Sequence, residues 1–376
     1  MIVSLLLAAG GIQFGTIRRL LTIDYFFIAL LSLYPVLTLV SMAVFGIGDS
    51  SEFDTPSRFL LFIPFYVGLR CAPIGMHQIA LGAAVGVLLT ALYTLYHYML
   101  TPAGSRIDVH DNQITFAQIA FLLAAIALLP TTLPTPGALR RKAFLVVMIA
   151  AGGLTVVLSQ SRTVVLALPL IAVYAIAYRH RYALGKPEAV LGAALLAAGL
   201  YLIWTSPALH YLAYLATELR QNISAIDHST SSGIRLELWR SSAALIADHP
   251  WLGHGKGQFN AALNALPSAQ SLPAHIREYT HAHNDLLNLW LELGIAGPIS
   301  ILALLIGTGW LGLKQNDDAG SRYLILLVAL TWLIFGVTQT QLAHQKITLL
   351  QLLLLSLGMA HGANLRYGVL GTHKPQ

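Results

Sequence analysis

The chain has 376 residues, 56% of them apolar and 10% charged, with a net charge of +6 and a mean hydropathy of +0.68. Soluble domains carry about 25% charged residues, so the composition excludes an ordinary soluble domain and predicts an all-α integral membrane protein. A single cysteine, Cys71, excludes a disulfide framework and a cysteine-rich metal site. The basic residues sit in short loops, so the positive charge is not a nucleic-acid footprint.

A membrane span needs about 20 mostly apolar residues. Candidates run at 1–16, 24–46, 59–75, 77–100, 114–130, 143–160, 163–179, 188–205, 296–313, 322–340 and 346–362, about eleven in all. The first is short, and 59–75 is interrupted by Pro64, Arg70 and Pro73. Numbering the loops alternately gathers Arg18, Arg19, Arg70, Arg140, Arg141, Lys142 and others such as Lys314 and Arg366 on one side. The opposite short loops hold Arg58, Arg106, Arg162 and Lys346. By the positive-inside rule the first set is cytoplasmic, and the segment from about 206 to 283 faces outside. Met1 to Gly15 has no basic leader and does not read as a cleavable signal. This scheme puts the N-terminus outside, an arrangement that a span preceding the chain would account for. Three parts follow: a bundle of about eight spans over 1–205, an outer loop with an interfacial helix over 206–295, and the last spans with a short cytoplasmic tail over 296–376.

The outer segment is too long for a simple connector. Ile234 to Asp248 has helical apolar spacing, and His249-Pro-Trp-Leu-Gly-His-Gly-Lys-Gly257 is rich in breakers. Those glycines lack the spacing of a nucleotide-binding loop and read as turn residues. His283-Asn284 then opens a short apolar helix that Gly294, Gly297 and Pro298 end.

Four places carry groups suited to chemistry. Arg162, in Leu158-Ser-Gln-Ser-Arg162, stands between two spans, where a charge costs about 3 kcal/mol and usually serves a function; the alternative is a snorkelling anchor. Arg235 begins the outer helix, where a guanidinium suits phosphate; its bland role is a surface pair with Glu237 or Glu278. His283 sits at the positive end of a helix, which disfavours imidazolium and leaves a base near neutral pH. Residue chemistry alone does not rank it above His281, and a plain capping histidine fits too. Arg106, in an outer loop, suits sugar or phosphate. His281 and His283, with His254 or His275, fall short of a metal-ligand pattern, and no cofactor is implied.

Taken in order, these motifs resemble the O-antigen ligase and polymerase superfamily. The matching features are Gln160-Ser-Arg162 between two spans, the Arg235 helix with its Pro- and Gly-rich turn, and His283-Asn284 followed by Gly294 and Gly297. Within it the chain is most similar to the lipopolysaccharide O-antigen ligases of the WaaL type. That resemblance implies a GT-C-like fold of about 11–12 spans with a long periplasmic helical loop in the Gram-negative inner membrane. It also implies metal-independent, inverting transfer of O-antigen from undecaprenyl pyrophosphate to lipid A–core. His283 would be the base, Arg162 and Arg235 would hold the pyrophosphate, and Asn284, His281, Arg106 and Gln160 would support them. The chain departs from the pattern in carrying Gln339 and Gln341 where some ligases have an acidic residue in the last outer loop, and Pro298 at the end of the signature. An O-antigen polymerase is the nearest alternative, a protein O-oligosaccharyltransferase a further one, and a lipid or solute transporter the alternative from another class.

Overall fold

The computed structural model describes residues 22–100, 112–128, 138–159, 161, 164, 228, 231–315 and 318–366. Among them every regular element is helical. The helices are α1 (Thr22–Phe45), α2 (Asp54–Cys71), α3 (Met76–Leu100), α4 (Gln113–Ala127), α5 (Ala138–Leu158), α6 (Ser231–Asp248), α7 (Phe259–Ala265), α8 (Ala274–Arg277), α9 (Asp285–Leu293), α10 (Ala296–Gln315), α11 (Ala319–Thr338) and α12 (Gln345–Arg366). Five are long and apolar enough to cross a membrane: α1, α3, α10, α11 and α12. They coincide with five of the expected spans. The expected spans at 1–16 and 188–205, and all of 163–179 but residue 164, lie outside the described residues.

The chain divides into two compact units, Met1–Gln78 with His228–Gln376, and Ile79–Asp227. In the second, α4 and α5 pack closely because Gly152 carries no side chain: a Cβ there would lie 2.6 Å from that of Ala124. Asn112 starts α4 by accepting from the amides of Ile114 and Thr115 at 3.0 and 3.3 Å.

In the first unit α1, α2, α10, α11 and α12 form a bundle, with α12 buried along most of its length. Small residues admit close contact here too, as Gly358 of α12 and Gly312 of α10 both pack on Ile325 of α11. Apolar side chains remain exposed on α1 and α10, among them Val40 and Ile306.

Helix α2 is not among the five. Arg70, counted from sequence as a cytoplasmic loop cation, is buried: its Nε donates to Asp24 Oδ1 at 2.9 Å and its NH1 to Asn364 Oδ1. Tyr66 adds a bond to Asp24 at 2.5 Å, and Asn364 returns one to the Leu69 carbonyl at 2.9 Å. One network therefore joins the start of α1, the end of α2 and the end of α12. Buried charges persist only with such compensation.

The stretch from α6 to α9 has its own apolar core, with Leu238 and Leu245 of α6, Phe259 and Leu263 of α7, Ile276, Ala282 and Leu291. The glycine-rich run behaves as the turn its sequence predicts. It wraps the end of α9, where His254 N donates to the Leu291 carbonyl at 2.7 Å and Gly255 N to that of Glu292 at 3.1 Å. These bonds satisfy carbonyls that a helix end leaves without partners.

Gly294 closes α9 at φ 67°, ψ −166°, a region almost reserved for glycine. A Cβ there would fall 1.9 Å from the Trp251 carbonyl oxygen. Gly294→Ala is therefore expected to destabilise the chain by at least about 2 kcal/mol, read as a lower melting temperature in detergent. An unchanged melting curve would contradict this account of the turn.

Candidate functional site

The run from Thr280 to Asn284 is pinned on both sides of His283. Ala282 is buried, and its amide donates to Asn288 Oδ1 at 3.1 Å. Asn284 Oδ1 caps α9 by accepting from Leu286 N and Leu287 N at 3.0 and 3.1 Å. Its Nδ2 donates to the Val337 carbonyl at 3.1 Å, tying the start of α9 to the end of α11. Between these anchors His283 takes φ 51°, a left-handed conformation that costs an L-residue about 1–2 kcal/mol.

Gln339, just past α11, fixes the state of the imidazole. Its Oε1 lies 3.0 Å from His283 Nδ1, and its Nε2 contacts His344 Nε2. A carboxamide oxygen accepts and its NH₂ donates. His283 therefore carries its proton on Nδ1 and keeps a lone pair on Nε2. A histidine held through one nitrogen with the other left basic is the arrangement a general base requires. The Tyr279 ring stands edge-on to His283 at 5.2 Å, and the His281 ring lies 4.5 Å away.

Electrostatics keep both imidazoles neutral at pH 7. Burial lowers the His283 pKa to about 4; the Gln339 bond opposes this, and the charge of Arg235 and the His344 ring add to it. His281 is lowered to about 3 by burial first and by His283 and His344 next. The sequence assigned the neutrality of His283 to the helix dipole, whereas here burial is the leading cause. Asp285, the first residue of α9, goes the other way. Burial raises its carboxyl to about 7, against a bond from Leu342 N at 3.2 Å.

Arg235 lies in the second turn of α6, half-buried, and its charge reaches His283. Glu237, one sequence candidate to neutralise it, bonds His228 at 3.3 Å. The fold thus gathers Arg235, His281, His283 and Asn284 in one region. Arg162, Gln160 and Arg106 lie outside the described residues. The other histidines near the motif are engaged elsewhere: His254 Nε2 lies 3.0 Å from the Leu245 carbonyl, and His275 Nε2 lies 3.4 Å from that of His228.

Sequence reading missed three members. Gln339 and His344 stand 56 and 61 positions beyond His283, in a loop noted only for its hydrogen-bonding groups and its lack of a carboxylate. The third is Lys256, whose Nζ lies 2.7 Å from Glu292 Oε2, a pair between the glycine-rich turn and α9. Burial alone would lower the Lys256 pKa, but Glu292, with Tyr34 and Glu52, holds the ammonium above the usual lysine range. The signal available in sequence was a lone lysine among glycines facing a lone glutamate in an apolar helix.

Comparison with known proteins supports the resemblance read from the motifs. Residues 143–302 match the family model described as O-antigen ligase, an interval that contains α6 to α9 and the Arg235 and His283 motifs. The chain is also similar to a Haemophilus influenzae protein (strain ATCC 51907 / DSM 11121 / KW20 / Rd) described as an uncharacterized protein. The two are 23% identical over 265 residues, which is 68% of this chain and 64% of that protein. The chain thus spans about 64% of the length of the curated relative it matches.

Two measurements check the electrostatics. The Asp285 carboxyl titrates near 7 when folded against 3.8 ordinarily. Its raised pKa gives stability that is complete at low pH and is lost as pH rises through 7. Asp285→Asn keeps the acceptor for Leu342 N without the titration, so it should melt above wild type at pH 8, with the gap closing toward pH 4. A gap independent of pH would refute the assignment. Gln339→Glu places a carboxylate beside His283 Nδ1 and should raise that histidine's pKa from about 4 toward or above 6.5, followed by ¹⁵N-histidine NMR. No movement would mean that the two side chains do not pair.

Proposed function

We propose that this O-antigen ligase-type chain is a glycosyltransferase that moves O-antigen from undecaprenyl pyrophosphate to lipid A–core at the periplasmic face of the inner membrane. The observation that carries the reading is a neutral imidazole with its tautomer fixed by Gln339, set beside the charge of Arg235. The family match and the apolar spans agree with a lipid-borne substrate.

His283 Nε2 takes the proton of the acceptor hydroxyl as that oxygen bonds to the anomeric carbon of the donor. The bond from the anomeric carbon to the pyrophosphate oxygen breaks, and its electron pair leaves with the pyrophosphate. Arg235, with Arg162, offsets the charge that develops on the leaving group. Attack opposite the departing bond inverts the anomeric centre. Donor and acceptor are both amphiphiles held in one leaflet, so confinement lowers the entropic barrier to their meeting. The donor is already activated, and no nucleotide is consumed.

The test combines purified protein in detergent, lipid-linked glycan, lipid A–core and EDTA, and reads the lipopolysaccharide ladder. Asparagine tolerates the left-handed backbone at 283, so His283→Asn removes the base with little change of fold. It should slow transfer by about 10²–10⁴-fold, and Arg235→Ala by about 10²–10³-fold. Longer lipid-linked glycan in place of a ladder would instead identify a polymerase. Absence of both products from folded wild type would reopen transport.

A further inference from the structure

Beside His281 lies a cavity of about 230 Å³, formed within the first unit by α1, the start of α2, α9, the glycine-rich turn and the loop after α11. Ligand pockets for drug-sized molecules run about 300–1,000 Å³, so this one admits a single small ring. Its apolar walls are Tyr34, Leu289 and Leu342. Its polar walls are Glu52, Lys256, Asn288, Glu292, Thr340 and His281.

Asn288 spends its carboxamide oxygen on Ala282 N, so its NH₂ is the group left to donate at this wall.

Charge decides which part of a substrate fits. Glu292 accepts from Lys256 Nζ and, at 3.3 Å, from Gly257 N, while Glu52 lies 3.9 Å from the same ammonium. Two carboxylates against one ammonium make a wall that repels pyrophosphate and accepts from hydroxyls. The fit between turn and acid is close, since a Cβ on Gly257 would lie 2.2 Å from the Glu52 carboxyl carbon.

We infer that this cavity seats one uncharged sugar residue of the acceptor, with hydroxyls bound by Glu52, Glu292 and Asn288 and its nucleophilic hydroxyl presented past His281 to His283. The assignment of the sugar to the acceptor rests on the glycosyl-transfer reading above. It gives His281 a role distinct from that of His283, as a wall of the sugar subsite.

The experiment uses the full chain in detergent. Two variants keep the Lys256–Glu292 pair intact, Glu52→Gln and Asn288→Asp, the second also keeping the acceptor for Ala282 N. Each should raise the KM for lipid A–core about tenfold, the value of one well-made hydrogen bond, while the KM for the lipid-linked donor stays put. In parallel, Thr55→Cys, at the cavity wall, is placed in a Cys71→Ser background and labelled with a maleimide. Core oligosaccharide freed from lipid A should protect it, and Glu52→Gln should abolish the protection. Wild-type transfer with no change in acceptor KM in either variant, or without protection, overturns the subsite and leaves the transfer reading standing. Protection without any transfer supports a sugar site while removing the transfer reading. Neither transfer nor protection overturns both.

Discussion

A nine-residue helix is marginal in water on its own, and the position of His283 follows from how the two ends of α9 are tied. At its start, Asn284 both caps the helix and reaches across to the Val337 carbonyl. At its end, the run from Pro250 to Gly255 supplies amides for carbonyls the helix cannot satisfy, and Ile295 N returns a bond to Pro250 at 3.0 Å. These ties set His283 at one end of α9 and draw Lys256 to Glu292 near the other. The site has its precision because it is held by hydrogen bonds from two directions.

Charge in this unit is handled by pairing at each place where it is buried. Arg70 and Asp24 lock three helix ends together, and Lys256 and Glu292 fasten the turn to α9. Buried pairs of this kind contribute less to net stability than to specifying one arrangement, because desolvation offsets most of their attraction. Removal of one partner would leave a bare charge, so these residues are poor choices for mild perturbation. The neutral pair of histidines obeys the same rule in reverse, since burial favours the uncharged state of both and the charge of Arg235 adds to it at His283.

Much of this was legible in the amino-acid sequence because hydropathy and breakers are local signals. Five spans stand where apolar runs of sufficient length predicted them, and α9 ends at the glycine that its φ requires. The turn-forming role of Gly253, Gly255 and Gly257 was equally plain. Pairing across distance was not. Gln339 looked like a departure from the expected acidic residue, yet it supplies the acceptor that orients His283. Arg70 looked like a loop cation because nothing local reveals that Asp24, 46 positions earlier, meets it in the interior. Residue chemistry left His281 and His283 equal. Gln339 contacts one and the cavity the other, and that asymmetry separates them.

The neutral amide at position 339 has a consequence for the proton. A carboxylate in that place would make the neutral imidazole a stronger base, able to take a proton from stray water as well as from an acceptor. A carboxamide adds no such basicity, so His283 stays a feeble base until an anion arrives beside it. On the proposed reaction, that anion is the departing diphosphate itself. Proton abstraction would then lag behind cleavage of the glycosidic bond, and the empty enzyme would have little power to hydrolyse its own donor.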